Sequence, residues 1–401
     1  MKVTADDLNL RHLRAFVEIC RLGSISAAAG IVHLSQPAIT QGLRNLETKL
    51  RTKLFQRGAR GMVPTDLGRR LEFRVTRAFG QLNAGLPKTK QQPAERLAAR
   101  ITSAQLRTLV AVGKTRSYSD AARLLDVAQP SIHRAARDLE SGLGLALFDK
   151  TPSGINLTRQ GLALFRATRL MQAELGQALQ EISTALGQDV AEIRLGALPL
   201  ARATIIAPAI EHMAQNGHRM RVHVDDGPYA DLLQAVRSGE LDILVGALRS
   251  PAPGKDVTQI PLFSDRLGVF CGPAHPLLGV SPITMAQMSV FPWVLPRPDT
   301  PTRNFFDAAF PKIAQAVEAD LVETSSMILV RDLLQSSHRL TLISRAQVVS
   351  EIKQGLMCEL PINLDDPPRP IGILQRTDWY PTAEQELFLA ALRKSAAGMA
   401  P

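Results

Sequence analysis

Apolar residues near the start of the chain fall at helical intervals. Leu10, Leu13, Phe16, Val17 and Ile19 or Cys20 make one stripe over residues 10–21, the spacing of a helix with a single buried face. Gly23 ends it, and Ser24 or Ser26 is placed to cap a short second helix over 26–32, where Ala28-Ala29 lets a crossing helix approach closely. Ser35 caps a third helix with Gln36 and Pro37 in its first turn, where a missing N–H costs nothing. Along that helix Ile39, Leu43, Leu46 and Leu50 share an inward face, which leaves Gln36, Ala38, Thr40, Gln41 and Arg44 turned outward. Leu54-Phe55 then leads into Gln56-Arg57-Gly58-Ala59-Arg60-Gly61, which has the glycines of a tight turn and two cations.

The same pattern returns 93 residues later without a gap. Leu106, Ser117, Ala121-Ala122, Gln129-Pro130, Ile132, Arg137, Leu139-Glu140, Leu147-Phe148, Gly154, Thr158 and Gly161 stand where Leu13, Ser24, Ala28-Ala29, Gln36-Pro37, Ile39, Arg44, Leu46-Glu47, Leu54-Phe55, Gly61, Thr65 and Gly68 stand in the first copy. Two copies of this length argue for a duplicated domain, not a solenoid. Three helices followed by a basic hairpin read as a helix-turn-helix with a wing, the third helix being the one that enters a major groove. Its outward residues suit that task. Gln pairs bidentately with adenine, Thr donates or accepts, Ala meets a thymine methyl, and Arg44 reaches a phosphate or guanine. The second copy keeps the scaffold and changes the reading face: Ala128 replaces the capping serine, and Gln129, Ser131, His133, Arg134 and Arg137 form a polar, partly cationic surface. That surface serves either DNA contact or assembly within the molecule. Each copy runs into a helical stretch, 65–86 and 158–186, the second with Leu162, Phe165, Met171, Leu175, Leu179, Ile182 and Leu186 at helical intervals. Residues 87–100 read as a polar, proline-marked connection.

From about Ala191 the pattern changes to short apolar runs alternating with helical ones. Strands are expected over 193–198, 220–224 and 241–245 and helices over 203–215 and 231–237. The alternation continues through 267–271, 293–295, 302–310, 321–322, 327–334, 340–344, 371–374 and 383–394. It implies a mostly parallel sheet covered on both faces, with enough chain for two lobes.

Charge sharpens this picture. The formal net charge of +10 divides into +11 for residues 1–100, +3 for 101–188 and −4 for the remainder. Positive charge over a compact module is the electrostatic footprint of a polyanion partner, so the first copy is the stronger DNA binder. The three cysteines, Cys20, Cys271 and Cys358, have no close pair in the sequence, which fits a reducing cytosol and no disulfide or zinc framework. Neither a membrane span nor a signal-peptide core is evident, so a cytoplasmic protein with no membrane partner is expected. Catalytic signatures are missing too: there is no phosphate-binding glycine loop, paired-histidine motif or nucleophile elbow. Asp225-Asp226 and Asp365-Asp366 sit in turn-like sequence. The expectation is a non-enzyme with no cofactor and no metal site.

Both copies resemble the winged helix-turn-helix of LysR-type transcriptional regulators. The family pattern is matched by Ala28-Ala29, Ser35-Gln36-Pro37-Ala38-Ile39-Thr40, Leu46-Glu47, Leu54-Phe55-Gln56-Arg57 and Pro64-Thr65-Asp66-Leu67-Gly68; Arg51-Thr52 departs from the family's Leu-Gly turn. Downstream, Gly239-Glu240-Leu241-Asp242 and His275-Pro276-Leu277 are similar to motifs of the family's effector domain. Val322 to Met327, Arg339 to Ser344 and Asp378 to Thr382 look most like its galactose-binding-protein and aromatic-acid-pathway branch. The resemblance implies a multidomain chain: two mostly α winged helix-turn-helix domains followed by an α/β two-lobed effector domain like a periplasmic binding protein. The bounds are 1–86 for the first module with its linker helix, 87–100 for the connection, 101–188 for the second module with its longer helix, and 189–401 for the effector domain. Lobe I takes about 189–267 and 368–401, and lobe II about 268–367.

DNA contacts are then expected from Ser35, Gln36, Pro37, Ala38, Thr40, Gln41, Arg44, Arg57 and Arg60 in the first copy, and from Gln129, Ser131, His133, Arg134 and Arg137 in the second. Ligands in open α/β folds bind beyond the carboxyl ends of strands. By family position this places Leu198, Pro199 and Leu200 at one lip of a cleft, Gly246 and Ala247 at a second, Arg297, Thr300 and Thr302 at a third, and Thr324 and Ser325 at a fourth. The resemblance implies double-stranded DNA, a small-molecule effector such as an organic acid or sugar, and a homo-oligomer formed through the linker helices. Carrying two modules in one chain also allows those helices to pair within it. Two other functions stand beside ligand-responsive regulation: an architectural DNA binder with a vestigial effector domain, and a small-molecule binding protein whose second helix-turn-helix serves assembly.

Overall fold

The structure, a computed structural model, describes residues 3–58, 61–87, 93–152, 154–298, 300–365 and 367–399, and only the backbone of residue 203. Arg60 and Asp366 therefore lie outside the described residues. The chain divides into two compact units, Met1–Glu192 with Arg237–Glu240, and Ile193–Val236 with Leu241–Pro401.

In the first unit, α1 (Leu10–Leu22), α2 (Ile25–Val32) and α3 (Gln36–Leu50) precede a hairpin of β1 (Phe55–Gly58) and β2 (Gly61–Pro64), then α4 (Asp66–Ala84). Local chemistry sets each boundary. Asn9 accepts from the Arg11 and His12 amides, Gly23 stops α1 at φ 68°, and the side chains of Ser24, Ser35 and Thr65 cap α2, α3 and α4. Glu47 ties α3 to the hairpin: its Oε1 accepts from the Leu54 amide at 2.9 Å and its Oε2 meets Lys53 Nζ at 2.7 Å.

After α5 (Ala94–Arg100) the arrangement is repeated by α6 (Ser103–Thr115), α7 (Tyr118–Leu125), α8 (Gln129–Leu143), β3 (Phe148–Thr151), β4 (Gly154–Leu157) and α9 (Arg159–Ala185). The correspondence reaches single hydrogen bonds. Met62 N donates to Gly23 O at 2.9 Å and Ile155 N to Arg116 O at 2.8 Å; Glu140 accepts from the Leu147 amide at 2.7 Å as Glu47 does from Leu54. Gly68 and Gly161 lie so close to the carbonyls of Leu54 and Leu147 that a Cβ would come within 2.2 and 2.1 Å of them.

The connection 87–100 is not wholly a polar linker. Its second half is α5, which buries Ala94, Leu97 and Ala98. Arg14 holds it in place, donating to the Ala98 carbonyl and, at 3.3 Å, to the Ala99 carbonyl, with its guanidinium 5.0 Å from the Phe79 ring centroid. Burial, with Arg11 nearby, brings the pKa of that guanidinium down to about 10.

The most extensive contact between elements is α4 against α9. Leu71, Val75, Ala78 and Leu82 pack in the same core as Leu164, Met171, Leu175, Ala178 and Ile182. The pairing is antiparallel: Arg74 meets Glu181, Arg77 meets Glu174, and Gly85 lies against Ala163, Leu164 and Ala167.

The second unit holds two five-stranded sheets. Strands β5 (Ala191–Ala197), β6 (Met220–Asp225), β7 (Ile243–Ala247), β8 (Val257–Asp265) and β14 (Arg369–Arg376) form one, in the order β6-β5-β7-β14-β8. Strands β9 (Leu267–Cys271), β10 (Trp293–Leu295), β11 (Val322–Glu323), β12 (Leu340–Ser344) and β13 (Cys358–Glu359) form the other, in the order β11-β10-β12-β9-β13. Both are mixed, which corrects the expectation of a mostly parallel sheet. β5–β7, β10–β11 and β10–β12 are parallel, whereas β14 runs against β7 and β8, and β9 against β12 and β13. The reversed strands lie where the chain passes from one sheet to the other, at Asp265–Leu267 and before Arg369.

His275, 3% exposed, has a structural place beside a turn. Its Nδ1 accepts from the Leu277 amide at 3.1 Å, and its Nε2 donates to the His338 carbonyl at 3.1 Å, so the ring is neutral. Burial, more than the nearby His338, pushes its pKa below 6.5. The unfolded chain then binds the proton more readily than the folded one, and stability contributed here falls as pH drops below about 6.5. Urea midpoints of the whole protein at pH 7.5 and 5.5 are expected to show a decrease at the lower pH that shrinks in His275→Gln; an unchanged difference would remove His275 as the cause.

Candidate DNA interface and effector site

On α3 the structure puts Ser35, Gln36, Pro37, Ala38, Gln41 and Arg44 on the exposed side, opposite buried Ile39, Leu46 and Leu50. Leu43 is half-buried. Thr40 is half-buried and donates to the Gln36 carbonyl at 2.9 Å. Two side-chain bonds organise this face before any ligand arrives: Gln36 Nε2 to Ser26 Oγ at 3.1 Å, and Gln41 Nε2 to Asn45 Oδ1 at 2.9 Å. Arg57 is exposed on β1, paired in register with Met62.

On α8, Gln129, Ser131, Arg134 and Arg137 are exposed. His133 differs from a simple outward residue. It is half-buried, its ring centroid 4.2 Å from that of Tyr118, which in turn lies 6.1 Å from Phe148. Gln129, Pro130, His133, Arg134, Arg137 and Asp138 line an open depression of about 480 Å³. The sequence pattern gave no hint of Tyr118 or Asp138, because each stands where the first copy has an unrelated residue, Ile25 and Asn45.

Ala128 leaves α8 without a side-chain cap, although the Ser131 amide still reaches the Ala128 carbonyl at 2.9 Å. Ala128→Ser is expected to raise stability by about 0.5–1 kcal/mol, the low part of the capping range, because that carbonyl already serves the amide. Thermal unfolding of the full chain checks it, and no gain would mean the serine cannot adopt the capping geometry of Ser35.

In the second unit the expected effector residues fall into two groups. At the ends of β5 and β7, the Leu198 amide donates to the Val245 carbonyl at 3.0 Å, and Leu198 sits over Gly246, where a Cβ would come within 2.6 Å of the Leu198 Cβ and the φ of 157° also favours glycine. Pro199 and Ala247 are half-buried. Leu200, placed by sequence on the lip, is instead 7% exposed and part of the core with Ile205 and Phe388. The turn after Pro199 rotates it inward. The second group lies at the ends of β10 and β11. Thr300 caps the helix Pro301–Ala309 and donates to the carbonyl of exposed Arg297 at 3.0 Å. The Thr324 amide donates to Leu295 O at 2.9 Å, and Ser325 beside it is exposed.

Arg369 links the second group to the chain crossing, and sequence reasoning missed it. It donates to Thr302 Oγ1 at 3.0 Å and pairs with buried Asp265, also at 3.0 Å. Asp265 accepts from the Ala346 amide at 3.3 Å. The available signal was positional: both residues flank the crossings that bound the lobes. A second arginine, Arg249, has its guanidinium 4.3 Å from the Tyr229 ring centroid, and burial, more than the nearby Arg369, lowers its pKa. Two further arginines, Arg202 and Arg303, are engaged by Asp226 at 3.1 Å and by Asp307 at 2.9 Å together with Glu323.

An exposed polar recognition helix beside a basic hairpin, with a two-sheet α/β unit downstream, defines a DNA-binding regulator with a ligand-responsive domain. The family model described as bacterial regulatory helix-turn-helix protein, lysR family, matches residues 10–69 and 103–162, and the one described as LysR substrate binding domain matches 187–397. The chain belongs to the LysR family of transcriptional regulators, with an N-terminal helix-turn-helix domain and a C-terminal substrate-binding domain. It is 30% identical to the HTH-type transcriptional regulator GalR of Pseudomonas putida over 96% of this chain and 97% of that protein. It is 27% identical to the regulator PcaQ of Agrobacterium fabrum over 74% of this chain and 96% of that one. Among solved structures, ArgP from Mycobacterium tuberculosis superposes with a TM-score of 0.53 at 16% identity, covering 73% of this chain and 97% of that chain. GalR thus shares nearly the full length, while the other two leave about a quarter of this chain unmatched. These relatives are regulators, not enzymes. The protein is a ligand-responsive, DNA-binding transcriptional regulator whose partners are double-stranded DNA, a small-molecule effector and further copies of itself.

Proposed function

We propose that this regulator carries two winged helix-turn-helix readers in one chain and presents them together, related by an approximate twofold axis through the α4–α9 seam. The observation that carries this reading is the intrachain antiparallel pairing of the two linker helices, each attached to a module built on the same hydrogen bonds. The modules take residues 1–86 and 101–188, and the effector domain 189–401, with lobe I at 189–267 and 368–401 and lobe II at 268–367. Reader one contacts DNA through Ser35, Gln36, Pro37, Ala38, Thr40, Gln41, Arg44, Arg57 and Arg60. Reader two does so through Gln129, Ser131, His133, Arg134 and Arg137. Since the two faces differ, the operator half-sites differ as well, and the bound chain has a fixed direction on the duplex.

The effector binds between the ends of β5 and β7 and those of β10 and β11, near Leu198, Pro199, Gly246, Ala247, Arg297, Thr300, Thr302, Thr324 and Ser325. The capped helix start at Thr300 and the guanidinium groups of Arg249 and Arg369 favour an anionic ligand such as an organic acid. Closure of the sheets around it alters the Arg369–Thr302 contact and is coupled to DNA affinity. The cysteine usage and the family suit the cytoplasm.

Selection of duplexes from a random pool by the full-length protein tests this. Recovered sites should contain two unlike half-sites in constant order. A perfect palindrome would refute the unlike readers, and unenriched sequence would favour an architectural binder.

A further inference from the structure

The α4–α9 seam divides its charges by helix. Arg74 is 0% exposed and donates to Gln177 at 2.8 Å, Glu174 at 3.2 Å and Glu181 at 2.6 Å; Arg77 donates to Glu174 at 2.8 Å. Both cations belong to α4 and both carboxylates to α9. The repeat makes the division informative, because positions 93 apart would exchange places if either helix paired with a copy of itself. Arg74 corresponds to Ala167, Arg77 to Leu170, Glu174 to Gln81, Gln177 to Ala84 and Glu181 to Lys88. An α4–α4 seam in this geometry would set Arg74 against Gln81 and Ala84, with no carboxylate. An α9–α9 seam would set Glu174 against Ala167 and Leu170, with no cation.

We propose that this division is a pairing code: α4 pairs with the α9 of its own chain and rejects both like-with-like pairings, so the two-reader body closes before a second copy is met. A buried charge deprived of its partner is strongly disfavoured, and one buried polar position is known to select partners in coiled coils. The tether favours the same-chain partner over a swapped one. Leu86 is buried at the end of α4, α5 packs on α4, and Ser103 Oγ both donates to Leu8 O and accepts from Leu10 N, so the connection is anchored on both sides. A short tether raises the effective concentration of the attached partner into the millimolar range. Oligomers of this protein then form through surfaces other than this seam. The inference concerns how the readers are paired and stands whether or not the second one touches DNA.

Zero-length cross-linking decides it. Full-length Arg77→Lys protein, made in light and heavy isotopic forms, is mixed, unfolded, refolded together and treated with a carbodiimide, which joins the introduced side-chain amine to the Glu174 carboxylate as an amide with loss of water. The expected cross-linked peptides, joining position 77 to Glu174, are purely light or purely heavy. About half mixed-isotope peptides, or no such peptide, would overturn closure within the chain. Adding Arg74→Glu should cut the same-chain product at least tenfold, and adding Glu181→Arg to that should recover most of it. An undiminished product after Arg74→Glu, or no recovery in the reciprocal pair, would overturn the code. The readout involves no DNA, so failure here is distinct from failure of the regulator to find an operator.

Discussion

Arg74→Ala is expected to destabilise the N-terminal unit by about 3–5 kcal/mol, the usual cost of breaking a buried ion pair from one side. The guanidinium has no access to water and satisfies two glutamates and a glutamine. Without it, among the described residues, Glu174, whose side chain is 8% exposed, keeps Arg77 as its one cation, and Glu181 keeps none. A void is left as well. Arg123→Ala is the matched control, since its side chain is 80% exposed and its ion pair with Asp120 lies three residues away on one helix turn, where such pairs contribute about 0–1 kcal/mol. Urea denaturation of the two full-length variants, followed by tryptophan-independent far-UV signal, gives the comparison. If Arg74→Ala costs no more than Arg123→Ala, the seam is held by its leucines alone.

The sequence carried the helices of both modules because their signals are local. Ser35 caps α3 as its sequence context predicts, Thr65 and Thr158 cap α4 and α9 at the first residues of the expected helical stretches, and Gly23 stops α1 as a left-handed residue. The helix α5 was hidden for the opposite reason: seven residues between Pro93 and Ile101 are too few for a period to emerge, and what fixes them is Arg14, 84 residues distant from Ala98. The stripes on α4 and α9 were legible as apolar faces, yet a stripe does not say whether its partner is in the same chain. Only the alignment of Arg74 with Glu174 and Glu181 does.

The effector domain shows the same limit. Strand positions at 267–271, 293–295 and 340–344 were readable from composition, but direction was not, and β8 escaped notice because Pro261 interrupts it. That proline is tolerated where the register of β14 against β8 shifts between Ile371 and Gly372. β11 and β13, two residues each, have no period at all. Leu200 was misplaced because a family position specifies where the backbone runs, not which way a side chain turns.

Arg44→Ala should weaken DNA binding by about 5- to 150-fold, the range of 1–3 kcal/mol for an arginine at a base edge or phosphate, and Arg137→Ala by distinctly less. Both residues are exposed at the same point of homologous helices, so the difference must come from surroundings. Arg44 is followed by Asn45, and the one carboxylate farther along its helix, Glu47, is taken up by Lys53 and the Leu54 amide. Arg137 is followed by Asp138, which shares its depression and repels a phosphate approaching it. Residues 1–100, the first module with its connection, also carry a net +11 against +3 for residues 101–188, which favours phosphate contact by the first module. Titration of a selected operator by full-length variants over a salt series measures both the affinity and the number of counterions released. Loss of Arg44 should lower the salt slope by about one if it meets a phosphate, and leave the slope nearly unchanged with relaxed base preference if it meets a guanine. Equal losses for the two variants at every salt concentration would show that the readers share the load and that their difference in charge is irrelevant to binding.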